Sequence, residues 1–143
     1  YQIIAFNTAA QPILSETAGK WLEVADAPQL KAATEALRDR LPSGGTNLHG
    51  AFDAVGTLPG GPDNIFLITD GLPTQSYEPP RRTTISGRDR LSLFRKAVQR
   101  LPAGVPVNII LAPMEGDPMA ASEFWQLAQV SGGSFMSPSR DWP

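Results

Sequence analysis

The sequence contains no cysteine and only one histidine, His49, among its 143 residues. The absence of cysteine excludes disulfides and thiolate metal sites, and it fits both the cytosol and the bacterial periplasm without selecting either. No apolar run approaches the length of a membrane span, so we expect any membrane anchor to lie outside this chain. The motifs G-x-S-x-G and H-E-x-x-H are also missing, which removes two common signals of hydrolases.

Phosphate-binding and triad chemistry are poorly supported. Gly45 and Gly50 have the spacing of a phosphate-binding loop, but Ala51-Phe52 stands where Lys followed by Ser or Thr is needed. His49 falls in the first turn of a predicted helix, where a packed or solvated residue is more common than a catalytic one. We therefore do not expect an enzyme.

Composition indicates one globular domain, which we expect to span residues 1–143. The hydrophobic fraction is 41% and the charged fraction is 18%, which is typical of a folded domain rather than a disordered chain. The formal net charge of −2 argues against a dedicated nucleic-acid binder.

The order of predicted elements is β-β-α-α-β-α-β-α-β, which indicates an α/β fold with a largely parallel sheet. The first two strands, Tyr1–Phe6 and Ile13–Leu14, are joined by so short a link that they pair antiparallel and supply one edge strand. The later strands are apolar enough to be covered on both faces. The remaining predicted elements are helices from Asp26-Ala27-Pro28 to Arg40, 47–57, around Leu91–Leu101 and from Asp117-Pro118 to Gly132-Gly133, strands 64–69, 105–112 and 134–136, and a loop over 71–87.

Oxygen-bearing side chains collect at the carboxyl ends of the strands, where open parallel sheets bind ligands. Asn7 follows the first strand, Thr46 precedes a helix, and Asp70 and Glu115 follow two buried strands. Hydroxyl and carboxylate oxygens suit Mg²⁺, Ca²⁺ or Mn²⁺ better than a soft metal. We call this end of the sheet the rim.

Thr46, Asn47 and Asp70 also have simpler explanations. Thr46 and Asn47 are favoured helix caps, and Asp70-Gly71 is a common turn after a strand. A capping loop can still present a hydroxyl to a metal, so the two interpretations are compatible. Asp70 and Glu115 are the one plausible acid–base pair, but their spacing does not separate that role from binding metal or water.

The loop after Asp70 is rich in proline and arginine, and we expect it to be solvated and to influence the choice of partner. Exposed arginines would attract an acidic partner and make association depend on salt. The arginines concerned are Arg81, Arg82, Arg88 and Arg90.

Two segments resemble the von Willebrand factor type A family. Ser43-Gly44-Gly45-Thr46-Asn47-Leu48 resembles its threonine motif, and Phe66-Leu67-Ile68-Thr69-Asp70-Gly71 resembles the strand that carries its second aspartate. Ile3 to Asn7 is similar to the family's second strand. The stretch from Leu127-Ala128 to Phe135 is similar to its last helix and strand.

This resemblance implies a Rossmann-like three-layer sandwich that binds a protein partner at the rim. It implies a metal-ion-dependent adhesion site, in which Thr46 and Asp70 would hold Mg²⁺ or Mn²⁺ and an acidic side chain of the partner would complete the site. The other residues of the partner-binding rim are Asn7, Ser43, Asn47 and Glu115.

The family's first motif, Asp-x-Ser-x-Ser, has no counterpart in this sequence, which begins in the equivalent of the second strand. We therefore expect that a strand–helix unit of roughly 30 residues or more is supplied from upstream, by another chain or by a second copy of this one. Thr46 and Asp70 give two ligands where a hard cation takes about six, so metal binding by this chain alone should be weak. The alternative is a metal-independent scaffold module, and a hydrolase using rim carboxylates is a third possibility.

Overall fold

The computed structural model describes residues 1–80, 84–112 and 114–138, and its elements follow the predicted order. None of the helices in these ranges is long and apolar enough to cross a membrane. The described elements are β1 (Ile4–Phe6), β2 (Ala10–Pro12), a 3₁₀ turn (Ser15–Thr17), α1 (Ala27–Asp39), α2 (Leu48–Gly56), β3 (Ile65–Thr69), α3 (Gly87–Val98), β4 (Val107–Leu111), α4 (Ala120–Ser131) and β5 (Phe135–Met136).

The strands form two separate sheets, which confirms the α/β class and corrects the expected single sheet. β3, β4 and β5 are parallel neighbours, with Ile65 opposite Val107 and Ile109 opposite Phe135. β1 and β2 pair antiparallel, and among the described residues neither pairs with any other strand. The expected antiparallel edge strand therefore belongs to its own two-stranded sheet.

The second strand begins earlier than the predicted Ile13–Leu14. Asn7 donates its backbone N–H to the carbonyl of Ala9 at 2.9 Å, which closes a tight turn directly after β1. This turn places Phe6 opposite Ala10 and so fixes the register of the hairpin. The antiparallel pairing ends with Pro12 opposite Ile4, so Ile13 lies beyond the end of β2.

Side-chain caps explain where three helices begin. Asp26 accepts a hydrogen bond from the Gln29 N–H at 3.1 Å, and Asn47 accepts one from the Gly50 N–H at 3.1 Å, as the sequence predicted. Ser86 similarly caps α3 through the Asp89 N–H. α4 differs from its prediction because it begins at Ala120, not at Asp117-Pro118.

The core lies on one face of the parallel sheet, beneath α2, α3 and α4. Its central side chains include Phe52, Phe94, Phe124, Ile109 and Leu111. β3 alternates strictly between buried and exposed residues, and Phe66 and Ile68 are 71% and 66% exposed. The expectation that this strand is covered on both faces is wrong for the described chain, because the helices of the core all pack on the other side.

Candidate functional site

Backbone hydrogen bonds join the Thr46 loop to the segment that follows Asp70. Thr46 donates its N–H to the Thr74 hydroxyl at 2.9 Å, and its carbonyl accepts from the N–H groups of Thr74 at 3.0 Å and Gln75 at 3.3 Å. The start of α2 and the loop after β3 are therefore one connected unit. The threonine motif therefore lies beside the loop that follows the second motif.

Gly45 allows these two loops to approach each other closely. A Cβ at this position would lie 2.8 Å from the Thr74 hydroxyl oxygen and 2.9 Å from the side-chain oxygen of Gln75. Contacts this short force the loops apart unless the neighbours move. Gly45 of the threonine motif thus has a packing role that the sequence pattern alone did not reveal.

Asn47 ties α2 to the end of β1 and does not face solvent. Its N–H donates to the Asn7 carbonyl at 2.8 Å, and its side-chain amide donates to the Thr8 carbonyl at 3.1 Å. The side-chain oxygen is used in the cap, and the residue is 2% exposed. We therefore remove Asn47 from the surface available to a partner, because burial and three hydrogen bonds commit it to the fold.

The other rim residues are more accessible. Ser43, Asp70 and Glu115 are exposed, and Thr46 is half-buried. Asn7 is also half-buried, and its side-chain oxygen accepts from the Ala9 N–H at 3.1 Å within the hairpin turn.

A hard cation would find suitable donor types at this rim but too few of them. The Thr46 hydroxyl and the Asp70 carboxylate are not hydrogen-bonded to any other described residue. Within residues 1–80, 84–112 and 114–138, no three His, Cys, Asp or Glu side chains cluster as metal ligands would. Because such a cation takes about six oxygens, the described residues do not complete a site by themselves.

Asp117 and Arg90 fix the turn after Asp70, and no local sequence signal predicted this pairing. An Asp117 carboxylate oxygen accepts from the Leu72 N–H at 2.7 Å and lies 2.8 Å from the Arg90 guanidinium. Arg90 in turn donates through Nε to the Leu72 carbonyl at 3.2 Å. A Cβ on Gly71 would lie 2.7 Å from the same Asp117 oxygen, so a larger residue would displace this carboxylate from the Leu72 N–H.

These contacts correct two expectations. Asp117 does not begin α4, as the predicted helix start at Asp117-Pro118 implied, because its carboxylate is turned toward Leu72. Arg90 is not a solvated loop residue, because it lies in α3 and its side chain is 13% exposed. Arg88 also lies in α3. Arg81 and Arg82 lie outside the described residues, so their expected role in salt-dependent association stays a prediction.

A second polar cluster, formed by His49, Asp53, Tyr77 and Arg100, lies between α2 and α3. The Tyr77 hydroxyl donates to Asp53, and Arg100 lies 3.5 Å from the other Asp53 oxygen. The hydrogen bond to Asp53, followed by burial, raises the pKa of Tyr77 above its ordinary value of 10.0. Burial, followed by the charge of Arg100, lowers the pKa of His49 below its ordinary value of 6.5.

Comparisons of the chain with protein-family models, curated proteins and solved structures gave no match. Function is therefore inferred from the geometry of the rim and from the motif resemblance described above.

Proposed function

We propose that this chain is a recognition module of the von Willebrand factor type A kind, which binds a protein partner at the rim through Ser43, Thr46, Asp70 and Glu115. The hydrogen bonding between Thr46 and the segment after Asp70 is the observation that carries this proposal. It holds a hydroxyl-bearing loop beside the end of a strand that carries an exposed carboxylate. Accessible oxygens on two joined loops suit binding more than acid–base chemistry, because the Thr46 hydroxyl has no hydrogen-bonded base among the described residues.

We further propose that the complete domain is a Rossmann-like three-layer sandwich. The β1–β2 sheet and the β3–β5 sheet are separate, and Phe66 and Ile68 are exposed on the uncovered face of β3. An additional strand between β1 and β3, followed by a helix over Phe66 and Ile68, would join the sheets and add the third layer. An upstream segment, a complementing chain or a second copy would supply this unit.

Mg²⁺ or Mn²⁺ would be held by the Thr46 hydroxyl and the Asp70 carboxylate, with the remaining oxygens supplied by the added unit or by water. The ion would provide a positive charge that attracts an acidic side chain of the partner. Thr46 and Asp70 are kept in place by the Thr74 and Leu72 contacts of the same rim loops.

Metal binding by the chain alone should be weak and confined to the rim. In a Mn²⁺ titration followed by amide NMR, we expect an affinity weaker than micromolar and line broadening centred on residues 44–48 and 69–72. Asp70→Ala should abolish this local broadening. Asp63→Ala is the matched control, because Asp63 is an exposed acid just before the opposite end of β3. Micromolar affinity, or equal broadening in Asp70→Ala, would contradict the incomplete-site proposal.

Partner binding should depend on the same two residues. In quantitative affinity capture from the source cells, we expect Thr46→Ala and Asp70→Ala to lose a specific partner by about tenfold or more, which corresponds to about 1.4 kcal/mol. Thr34→Ala, on the exposed face of α1, and Asp63→Ala should capture it normally. The variants should keep their thermal stability, because Asp70 is exposed and Thr46 is held through its backbone.

The metal-independent scaffold is the alternative, and the lack of a three-residue ligand cluster in the described chain favours it. Capture in Mg²⁺ and in EDTA separates the two functions. Loss of the partner in EDTA supports the adhesion site. Capture that is unchanged in EDTA but lost in Asp70→Ala supports a rim that binds without metal.

A further inference from the structure

The cluster of His49, Asp53, Tyr77 and Arg100 connects the loop after β3 to both of the helices beside it. His49 and Asp53 lie one turn apart on α2, Arg100 follows α3, and Tyr77 belongs to the loop. The His49 and Tyr77 rings meet edge to face with centroids 6.0 Å apart, and the Arg100 guanidinium carbon is 6.0 Å from the Tyr77 centroid. Tyr77 is thus held by one ring, one carboxylate and one guanidinium.

His49 is buried in a way that suits the neutral imidazole. The residue is 5% exposed, and its Nδ1 atom is buried without a hydrogen-bond partner in the part of the chain that the structure describes. A protonated ring has an N–H at both nitrogens. Protonation would therefore place a buried donor at Nδ1 with no described acceptor, which is costly.

The cations around His49 also oppose a positive charge on its ring. Arg100 and Lys96 act on the ring from the side of α3, and both disfavour the imidazolium. Asp53 on α2 favours it, but its two oxygens already serve Tyr77 and Arg100. Tyr77 is the remaining titratable group that faces the ring, and it is the neutral donor in its bond to Asp53.

We propose that His49 and the loop segment around Tyr77 form a proton-sensitive latch. The neutral His49 ring holds this segment on the α2–α3 helix pair. Protonation of the ring in mild acid releases the segment. On gaining a proton, the ring turns toward solvent, and Tyr77, which is already 56% exposed, loses its edge-to-face contact. The latch does not rest on the proposed recognition function. Opening the latch would also affect the position of Thr46, because Thr74 and Gln75 of the same loop are hydrogen-bonded to it.

The direction of the pH dependence follows from the lowered pKa of His49. With the segment closed, burial and the nearby cations hold the pKa of His49 below its ordinary value of 6.5, and release of the ring into solvent raises the pKa toward that value. The open form therefore binds more protons between these two values, so acidification favours opening there. The opening equilibrium should rise by up to about tenfold per pH unit in that window and stay constant above it.

Ring-labelled tyrosine NMR tests the latch, because Tyr77 has only one companion in the sequence, Tyr1. From pH 7.5 to 5.0 we expect the Tyr77 ring signals to move toward solvent-exposed values, together with the His49 titration. Tyr1 serves as the internal control, since its N-terminal amine donates to the Leu22 carbonyl and not to a residue of the cluster. His49→Gln, which cannot take up a proton, should make the Tyr77 signals insensitive to pH in this range.

A second variant keeps the test decisive if His49→Gln does not fold. Lys96→Gln removes an exposed cation that lowers the pKa of His49, so His49 should titrate at higher pH and the acid release of Tyr77 should shrink. The proposal is overturned if Tyr77 stays unchanged while His49 titrates. It is also overturned if Tyr77 responds equally in His49→Gln, or if His49 titrates above 6.5.

Discussion

Replacing Asp117 with alanine should lower the free energy of unfolding by about 3 to 5 kcal/mol, because it leaves the largely buried Arg90 guanidinium without its anion. The two side chains are 3% and 13% exposed, and their closest atoms are 2.8 Å apart. The same change removes the acceptor of the Leu72 N–H. Urea denaturation of the wild type and the variant measures the loss directly.

Glu115→Ala is the matched control for Asp117→Ala. Glu115 is an exposed acid two positions away in the same loop, so its removal should change stability by less than about 0.5 kcal/mol. The double variant Arg90→Ala/Asp117→Ala should cost less than the sum of its single changes, because the unpaired charge is gone. A loss of only about 1 kcal/mol in Asp117→Ala would instead fit a simple helix cap.

Asp70→Ala and Asp117→Ala should therefore change different properties, the first partner binding and the second stability. Asp70 is exposed at the end of β3, so its loss should weaken binding at the rim while stability is kept. Asp117 holds the turn after Asp70 in place, because its carboxylate accepts a hydrogen bond from the Leu72 N–H. Any weaker binding in Asp117→Ala should appear together with the loss of stability. Poor binding by Asp117→Ala at full stability, with normal binding by Asp70→Ala, would contradict these roles.

Local sequence signals predicted most of the elements because they depend on nearby residues. The Asp26 and Asn47 caps use backbone groups three residues away, and Gly132 ends α4 with φ of 77°. The buried runs that became β3 and β4 pair in parallel, as the alternation of strands and helices indicated.

Sheet assembly was harder to predict because it depends on contacts between distant segments. A hairpin and three parallel strands can form one sheet or two, and the sequence pattern is the same in both cases. The apolar residues Phe66 and Ile68 suggested a strand covered on both faces, yet both are exposed. Periodicity reports which residues can be buried, and it does not report whether another layer is present to bury them.

The candidate site was predicted in part. The sequence placed Thr46 and Asp70 at one end of the sheet, and the structure joins their loops through Thr74. It did not predict the Asp117–Arg90 pair or the burial of His49 beside Tyr77. These contacts join residues far apart in the chain whose individual types are common in loops and helices.

Gly133→Ala should be among the most damaging single substitutions in the described chain. A Cβ there would overlap the Val107 carbonyl oxygen and lie 2.5 Å from the Val107 carbonyl carbon. Both groups are backbone, so no flexible side chain can move aside. The expected loss is about 3 kcal/mol or more, at the upper end of the range for overpacking.

The size of this effect follows from where Gly133 lies. It connects α4 to β5, and the Ser131 hydroxyl accepts from the Val107 N–H at 3.1 Å on one side of it. On the other side, the Ser134 carbonyl accepts from the Ile109 N–H at 2.8 Å. Moving the backbone of Gly133 away from Val107 therefore strains both bonds and the pairing of β4 with β5.

Gly56→Ala provides the opposite expectation within the same chain. Gly56 is the last residue of α2, its φ is not positive, and an added Cβ meets nothing within 4 Å. Alanine there should raise the free energy of unfolding by about 0.4 to 1 kcal/mol through the lower entropy of the unfolded chain. In urea denaturation, Gly133→Ala should lower the free energy of unfolding relative to the wild type, and Gly56→Ala should raise it. Equal stability of Gly133→Ala and the wild type would show that the α4–β5 connection does not pass this closely over Val107.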